Sequence, residues 1–245
     1  MKKLLLTAAI AVLGFTSVNA QDAPELVSKK GEIYLPEAGD WAISFNADGI
    51  FEYIGNSFSG DAKNDAPSVD FARNNSFVGK KFITDKTAYR VVANLQFTSG
   101  KQTNETEEFK NSGFQLAAGL GKEWRRGNTR LQGFYGADAL ITVTSGKFEE
   151  TLTDIDGTFI SSREEKDGLG LGLGVQGFLG AEYFIFPKFA IGAQYTYGVG
   201  FNIAGKSEVT TKNGTDAAVT ADGAKNSTFG LGGVGVASIN LTLHF

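Results

Sequence analysis

Cysteine is missing from all 245 residues, and histidine and methionine each occur once. Without cysteine there is no disulfide and no lipid anchor on an N-terminal Cys, so export into an oxidising compartment makes no redox demand. No run of about eighteen apolar residues follows the first twenty positions, which excludes a membrane-spanning helix. Basic charge is not in excess either. Residues 1–20, with Lys2, Lys3, an apolar core Leu4 to Leu13 and Val18-Asn19-Ala20, have the layout of a secretory signal peptide. Removing it leaves 27 acidic residues against 21 basic ones (Lys2 and Lys3 taken from 23), about −6, which argues against nucleic acid as a partner.

What the chain has instead is 32 Gly, 20 Phe and 7 Tyr, with only 4 Pro. Glycine and aromatics spread through alternating segments suit a β-barrel. The stretch Phe229 to Phe245 is the clearest case. Phe245, Leu243, Leu241, Ile239, Ala237, Gly235, Gly233, Leu231 and Phe229 fall on one register, and His244, Thr242, Asn240 and Ser238 on the other. A period of two sustained this long is a strand signal, longer than is usual in a soluble sheet.

Residues 21–39 carry Pro24 and Pro36 and read as an extended lead-in, with Ile33-Tyr34-Leu35 packing near a barrel rim. From Asp40 to Phe245 there are eight strand candidates: Trp41 to Ala47, Ser76 to Ile83, Thr87 to Thr98, Phe114 to Trp124, Arg130 to Val143, Leu169 to Phe184, Phe189 to Phe201, and the last stretch. Their connections alternate long and short. The short ones are Thr84-Asp85-Lys86, the turn around Arg126-Gly127-Asn128, and Ile185 to Lys188 with Pro187, which cannot donate to a ladder. The long ones, about Ile50 to Asn75, Ser99 to Ser112, Thr144 to Asp167 and Asn202 to Ser227, are polar and read as loops.

The aromatics sort by end. Trp41, Tyr89, Trp124, Tyr183, Phe189 and Phe245 fall at the short-turn rim, and Phe97, Phe114, Phe201 and Phe229 at the other. Two girdles around an apolar band are expected of a lipid-facing wall. The second strand fits least: in either register Lys80 or Lys81 faces lipid, tolerable only near a rim where it can snorkel.

Signal peptide, eight alternating strands, loop asymmetry and the terminal Ile239, Leu241, Leu243, Phe245 register resemble the small OmpA/OmpX-type outer-membrane barrels over the chain from about Asp40. The resemblance implies an all-β, eight-stranded antiparallel up-and-down transmembrane barrel with short periplasmic turns and long extracellular loops. It also implies a C-terminal strand read by the barrel-assembly machinery, outer-membrane lipid and lipopolysaccharide as surroundings, and no peptidoglycan-binding domain after Phe245.

Other motifs yield bland readings. Gly172 to Gly177 and Gly230 to Gly235 match the dinucleotide pattern GxGxxG, but the alternation runs through them with no helix following, so the glycines are expected to make room for inward side chains and no cofactor is implied. The sole histidine, His244, sits at the periplasmic rim, away from the outer leaflet where a lipid-modifying enzyme would need a histidine beside a serine and an acid. Asp154-Ile155-Asp156-Gly157 resembles a fragment of a calcium loop without its remaining ligands, so no metal site is expected.

The inward polar register collects Arg90, Asn94, Gln115, Glu123, Arg130, Asp138 and Glu182, with Glu123 and Arg130 flanking one hairpin. Eight strands enclose a space that side chains just fill, so these residues are expected either to plug the lumen as paired charges or to line a narrow pore. The expected function is non-enzymatic: a structural or adhesin-like surface-interaction protein working through its loops on an unidentified ligand. The alternative is a narrow porin-like channel for ions or small solutes.

Overall fold

The computed structural model describes residues 26–59, 77–223, 225–231 and 236–245. The signal-peptide reading of 1–20 and residues 232–235 of the last strand lie outside them. Twelve strands and one helix run in the order β1 (Trp41–Asn46), α1 (Asp48–Ser59), β2 (Phe77–Thr84), β3 (Thr87–Thr103), β4 (Glu107–Arg126), β5 (Leu131–Thr153), β6 (Phe159–Lys166), β7 (Gly170–Phe186), β8 (Phe189–Ala204), β9 (Glu208–Asn213), β10 (Val219–Asp222), β11 (Asn226–Leu231) and β12 (Val236–His244). A ring of eight closes through β1-β2-β3-β4-β5-β7-β8-β12, every contact antiparallel, and β12 returns to β1 with Ala42 opposite His244. The Trp41 N–H donates to Phe245 O at 2.8 Å and the Phe245 N–H to Trp41 O at 2.9 Å, so the chain's last residue completes the seam.

The extra strands are continuations of the ring. Gly170 faces Ala204 and Lys166 faces Glu208, which is one unbroken register, so β6 with β7 and β8 with β9 form a single long hairpin. Likewise Asn226 faces Ala204 and Val219 faces Thr211, so β10 prolongs β11. Single hydrogen bonds bridge the breaks: Gly205 N–H to Leu169 O at 3.0 Å, and Gly223 N–H to Ser207 O at 2.7 Å. At the first break the two chains nearly touch, since a Cβ on Gly168 would lie 2.3 Å from the Gly205 carbonyl carbon.

The partition of side chains is that of a transmembrane barrel. Along β3, Ala88, Arg90, Val92 and Asn94 are buried inside, while Tyr89, Val91, Leu95 and Phe97 are exposed on the outer wall. The expected short-turn girdle residues Trp41, Tyr89, Trp124 and Tyr183 are exposed on that wall and Phe189 is half-buried. Towards the far rim, Phe97 lies opposite Phe114 and Phe201 opposite Phe229. In β2, Lys80 is buried inside and Lys81 points out. The Lys81 ammonium reaches the Gly39 carbonyl at 2.5 Å and sits 4.5 Å from the Trp41 ring centroid, so it snorkels to the rim.

Two expectations change. The polar stretches 99–112, 144–167 and 202–227 are mostly strand, with reversals confined to 104–106, 154–158 and 214–218. Beyond the membrane both faces of a strand are wet, so the apolar-polar alternation that would reveal it disappears. Ion pairs hold these extensions instead: across strands, Lys101 to Glu108 at 2.7 Å and Lys147 to Glu164 at 3.0 Å, and along one strand, Lys110 to Glu108 at 2.6 Å and Lys166 to Glu164 at 2.7 Å.

The second change is α1, in what read as a glycine- and Asn-rich connection. Asn46 starts it: its Oδ1 accepts the Asp48 N–H at 3.0 Å and its Nδ2 donates to Asp48 Oδ2 at 3.0 Å. Ile50, Phe51, Tyr53 and Ile54 follow at helical spacing, and Gly49 and Gly55 conceal that pattern from a propensity reading.

The hydrogen bonds of Lys101 and Lys110 hold the Glu108 carboxyl down at about 2, from an ordinary 4.5. A lowered carboxylate pKa stabilises the hairpin above its unfolded value and loses that contribution as pH falls from about 4.5 towards 2. Amide protection factors across 101–110, with the intrinsic pH dependence of exchange divided out, should therefore fall over that interval in the native chain and stay flat there in Glu108→Gln. A native profile without the inflection would contradict the pairing.

Candidate functional site: a closed charge layer in the lumen

Each inward charge comes from a different height of a neighbouring strand, and the shear of the ring brings them to one level. Lys80 (β2) lies 3.0 Å from Glu123 (β4) and 3.0 Å from Glu182 (β7). Arg90 (β3) meets Glu123 at 2.9 Å and Asp138 (β5) at 3.3 Å. Arg125 (β4) meets Glu182 at 2.5 Å and Glu123 at 3.4 Å. Three cations thus alternate with three carboxylates, every side chain at most 2% exposed.

Neutral groups add further hydrogen bonds. Arg125 Nε donates to Gln132 Oε1 at 3.0 Å, Gln176 Nε2 to Asp138 Oδ2 at 3.0 Å, and Thr242 Oγ1 to Glu182 Oε1 at 3.2 Å. Gln194 Oε1 accepts from Arg90 Nη1 at 3.3 Å. The Arg90 guanidinium lies 3.7 Å from the Phe178 ring centroid and the Lys80 ammonium 5.1 Å from that of Phe134. A buried charge is tolerated only when paired and hydrogen-bonded; each charge here faces an opposite one, with the Arg90 Nε–Asp138 Oδ1 contact at 3.3 Å held as an ion pair without a hydrogen bond.

Glycines opposite the large groups let them lie flat. Phe134 lies across Gly180, where a Cβ would come within 2.5 Å of its ring, and Phe178 lies across Gly136 at 2.4 Å. A Cβ at Gly121 would sit 1.9 Å from the Asp138 carboxylate. The space left between Ser44, Lys80, Arg90, Phe134, Glu182 and Gln194 holds about 0 Å³ for water.

Of the residues expected in the lumen, Arg90, Glu123, Asp138 and Glu182 meet in this layer. Asn94 is buried one inward position past Val92 on β3, and Gln115 is half-buried further along, opposite Gln96 and Thr144. Arg130 is a correction. It lies at the turn before β5, where its Nη2 donates to the Tyr34 hydroxyl at 2.6 Å and its guanidinium stacks 4.0 Å from the Tyr34 ring centroid. Glu123 is paired instead by Lys80 and Arg90 and, two residues along its own strand, by Arg125. Ending the fourth strand at Trp124 hid it, although Arg125 shares the parity of Glu123. Lys80 was hidden by the open register of β2.

Below the layer, the lead-in covers the short-turn mouth. Tyr34 is buried against Phe184 and Ala190, with Leu26 and Leu35 beside them. Lys188 Nζ donates to Leu35 O at 3.0 Å and to Asp40 Oδ2 at 2.5 Å. His244 faces inward between the Phe82 and Phe184 rings, its Nε2 3.8 Å from Glu182, with no hydrogen bond to its ring nitrogens among the described residues. Also among the described residues, no three His, Asp or Glu side chains are grouped to hold a metal.

Removing one partner of a fully buried pair strands the other, at a cost of about 3–5 kcal/mol. Arg125→Ala should therefore lower the urea-unfolding free energy by about that much, whereas Arg130→Ala, part-buried at the rim, should lose about 1 kcal/mol. Gly180→Val should destabilise by about 1–3 kcal/mol through overpacking against Phe134. Equal losses for the two arginines would contradict the layer.

No protein-family model matches the chain, and no curated protein sequence does. Among solved structures, the Acinetobacter baumannii proteins CarO2 and CarO are each 10% identical. CarO2 aligns over 86% of this chain and 99% of its own at a TM-score of 0.36, and CarO over 86% and 97% at 0.32. LpxR from Salmonella typhimurium, also 10% identical, aligns over 84% and 98% at 0.18. Scores this low leave the barrel to rest on its own strand register and its own partition of buried and exposed residues.

Proposed function

We propose that this chain is a non-enzymatic outer-membrane barrel whose lumen is closed and whose work is done on the extracellular side, as a structural or surface-interaction protein. The observation that carries this reading is the six-charge layer of Lys80, Arg90, Arg125, Glu123, Asp138 and Glu182, whose buried ion pairs cross the lumen from β2 to β7. A conducting path would have to break several of those pairs at once.

The strand extensions support the same reading. They carry the sheet β3-β4-β5-β6-β9-β10 beyond the aromatic rim, a rigid platform of the kind on which recognition surfaces are usually built. Its outward face bears Lys101, Glu108, Lys110, Lys147, Glu149, Glu164 and Lys166 beside the level of the lipid head groups, chemistry suited to lipopolysaccharide. The tip of the β5–β6 hairpin presents Ile155, 87% exposed, to whatever the surface meets. Assembly through the Ile239, Leu241, Leu243, Phe245 register, with the barrel-assembly machinery as partner, belongs to the same proposal.

Reconstituted in a planar bilayer, the folded wild-type barrel should show no discrete current steps. Steps whose ion selectivity changes in Glu123→Gln would establish the narrow channel instead. For the surface role, cells displaying a barrel in which residues 147–166 are replaced by a short turn should fold it normally and adhere or aggregate less than cells displaying the full chain. Equal adhesion would remove that hairpin from the function.

A further inference from the structure

Two lysines stand on the lipid-facing register of the wall. Trp41 on β1 lies opposite Lys81 on β2, Lys81 opposite Tyr89 on β3, and Tyr89 opposite Lys122 on β4, so the four share one row of the outer face. Every other outward position of β4 from Phe114 to Trp124 is apolar. The row belongs to the short-turn girdle, the level at which aromatic side chains meet lipid head groups.

No carboxylate among the described residues neutralises these two cations. The Lys81 ammonium spends one of its three protons on the Gly39 carbonyl at 2.5 Å and lies 4.5 Å from the Trp41 ring centroid. The Lys122 ammonium lies 5.3 Å from the Trp124 ring centroid. Tyr89, 56% exposed, stands between them. Two acidic side chains of this rim are engaged elsewhere: Asp85 accepts the Ala38 N–H at 2.8 Å, and Asp40 pairs with Lys188 at 2.5 Å.

Unneutralised ammonium groups at a head-group boundary attract an anion. Neighbouring strands are about 4.8 Å apart, so the Cα atoms of Lys81 and Lys122 lie about 10 Å from each other across β3. Two flexible lysine stems can close that span around one phosphate, with the Tyr89 hydroxyl as a third donor between them. The periplasmic leaflet of an outer membrane supplies phosphodiesters. Phosphatidylethanolamine brings its own ammonium, which two lysines repel, whereas phosphatidylglycerol brings only hydroxyls.

We infer that Lys81, Tyr89 and Lys122 form a binding site for the phosphate of one anionic phospholipid of the periplasmic leaflet, of the phosphatidylglycerol type. This inference rests on the membrane location proposed above.

The chain has two tryptophans, and they are Trp41 and Trp124, so intrinsic fluorescence reads the lipid at this site. The test inserts the full mature barrel into phosphatidylcholine vesicles containing equal fractions of either phosphatidylglycerol or phosphatidylethanolamine, brominated near the carbonyl end of the acyl chains so that contact quenches tryptophan. Each lysine near a membrane surface is worth a factor of about five towards anionic lipid, so wild type should associate with brominated phosphatidylglycerol at least about fivefold more strongly than with brominated phosphatidylethanolamine. Lys81→Gln/Lys122→Gln should fold to the same heat-modifiable form and bring that ratio to about one. Lys122→Gln alone, which leaves the Lys81 contact with Gly39 intact, should fall between. Lys101→Gln/Lys147→Gln removes the same charge at the opposite rim and should match wild type. Equal association of both lipids with wild type, an undiminished preference in the Lys122→Gln barrel, or an equal loss in the opposite-rim control would each overturn the site. A barrel that fails to insert would instead overturn the membrane location itself.

Discussion

Opposite charges that cannot reach water must reach each other, and the interior of this barrel is arranged around that constraint. Lys80, Arg90 and Arg125 can be neutralised only if β2, β3, β4, β5 and β7 are staggered so that Glu123, Asp138 and Glu182 arrive at their level. A slip of one residue in any of these strands would send a charge to the lipid face and strand its partner. The same pairs that meet inside the lumen therefore specify the register of the wall.

The glycines belong to this device. An eight-stranded ring is narrow, and a layer containing two phenylalanines and three carboxylates fits only where the facing positions carry no side chain. Gly136 and Gly180 receive each other's cross-strand phenylalanine, and Gly121 receives Asp138. High glycine content here serves packing density, in strands that run straight through it.

Away from the lumen the design changes with the solvent. In the membrane band the outer wall is apolar and the backbone is satisfied by the closed ring. Beyond it, β3 to β6 and β8 to β10 continue the ladders with polar side chains on both faces and ion pairs in place of lipid contact. Among the described residues β1 and β2 are short, and α1 follows β1 against the edge of β12.

The eight-stranded ring, its inside-out polarity, the aromatic rims and the inward placement of Arg90, Glu123, Asp138 and Glu182 were legible from the sequence, because a period of two against a lipid wall exposes which face is which. That signal fails wherever both faces meet the same solvent, so the strand extensions read as loops. It also fails at strand ends: Arg125 and Arg130 are both plausible partners for Glu123 until a turn is placed between them, and the Tyr34 contact then takes Arg130 away. Helix α1 was hidden by Gly49 and Gly55, since its stability comes from the Asn46 and Asp48 side chains and the edge of β12 more than from helix propensity. Alternation by itself determined a barrel with polar contents. Which charges touch was decided only in three dimensions, by the shear that sets residues far apart in sequence at one height.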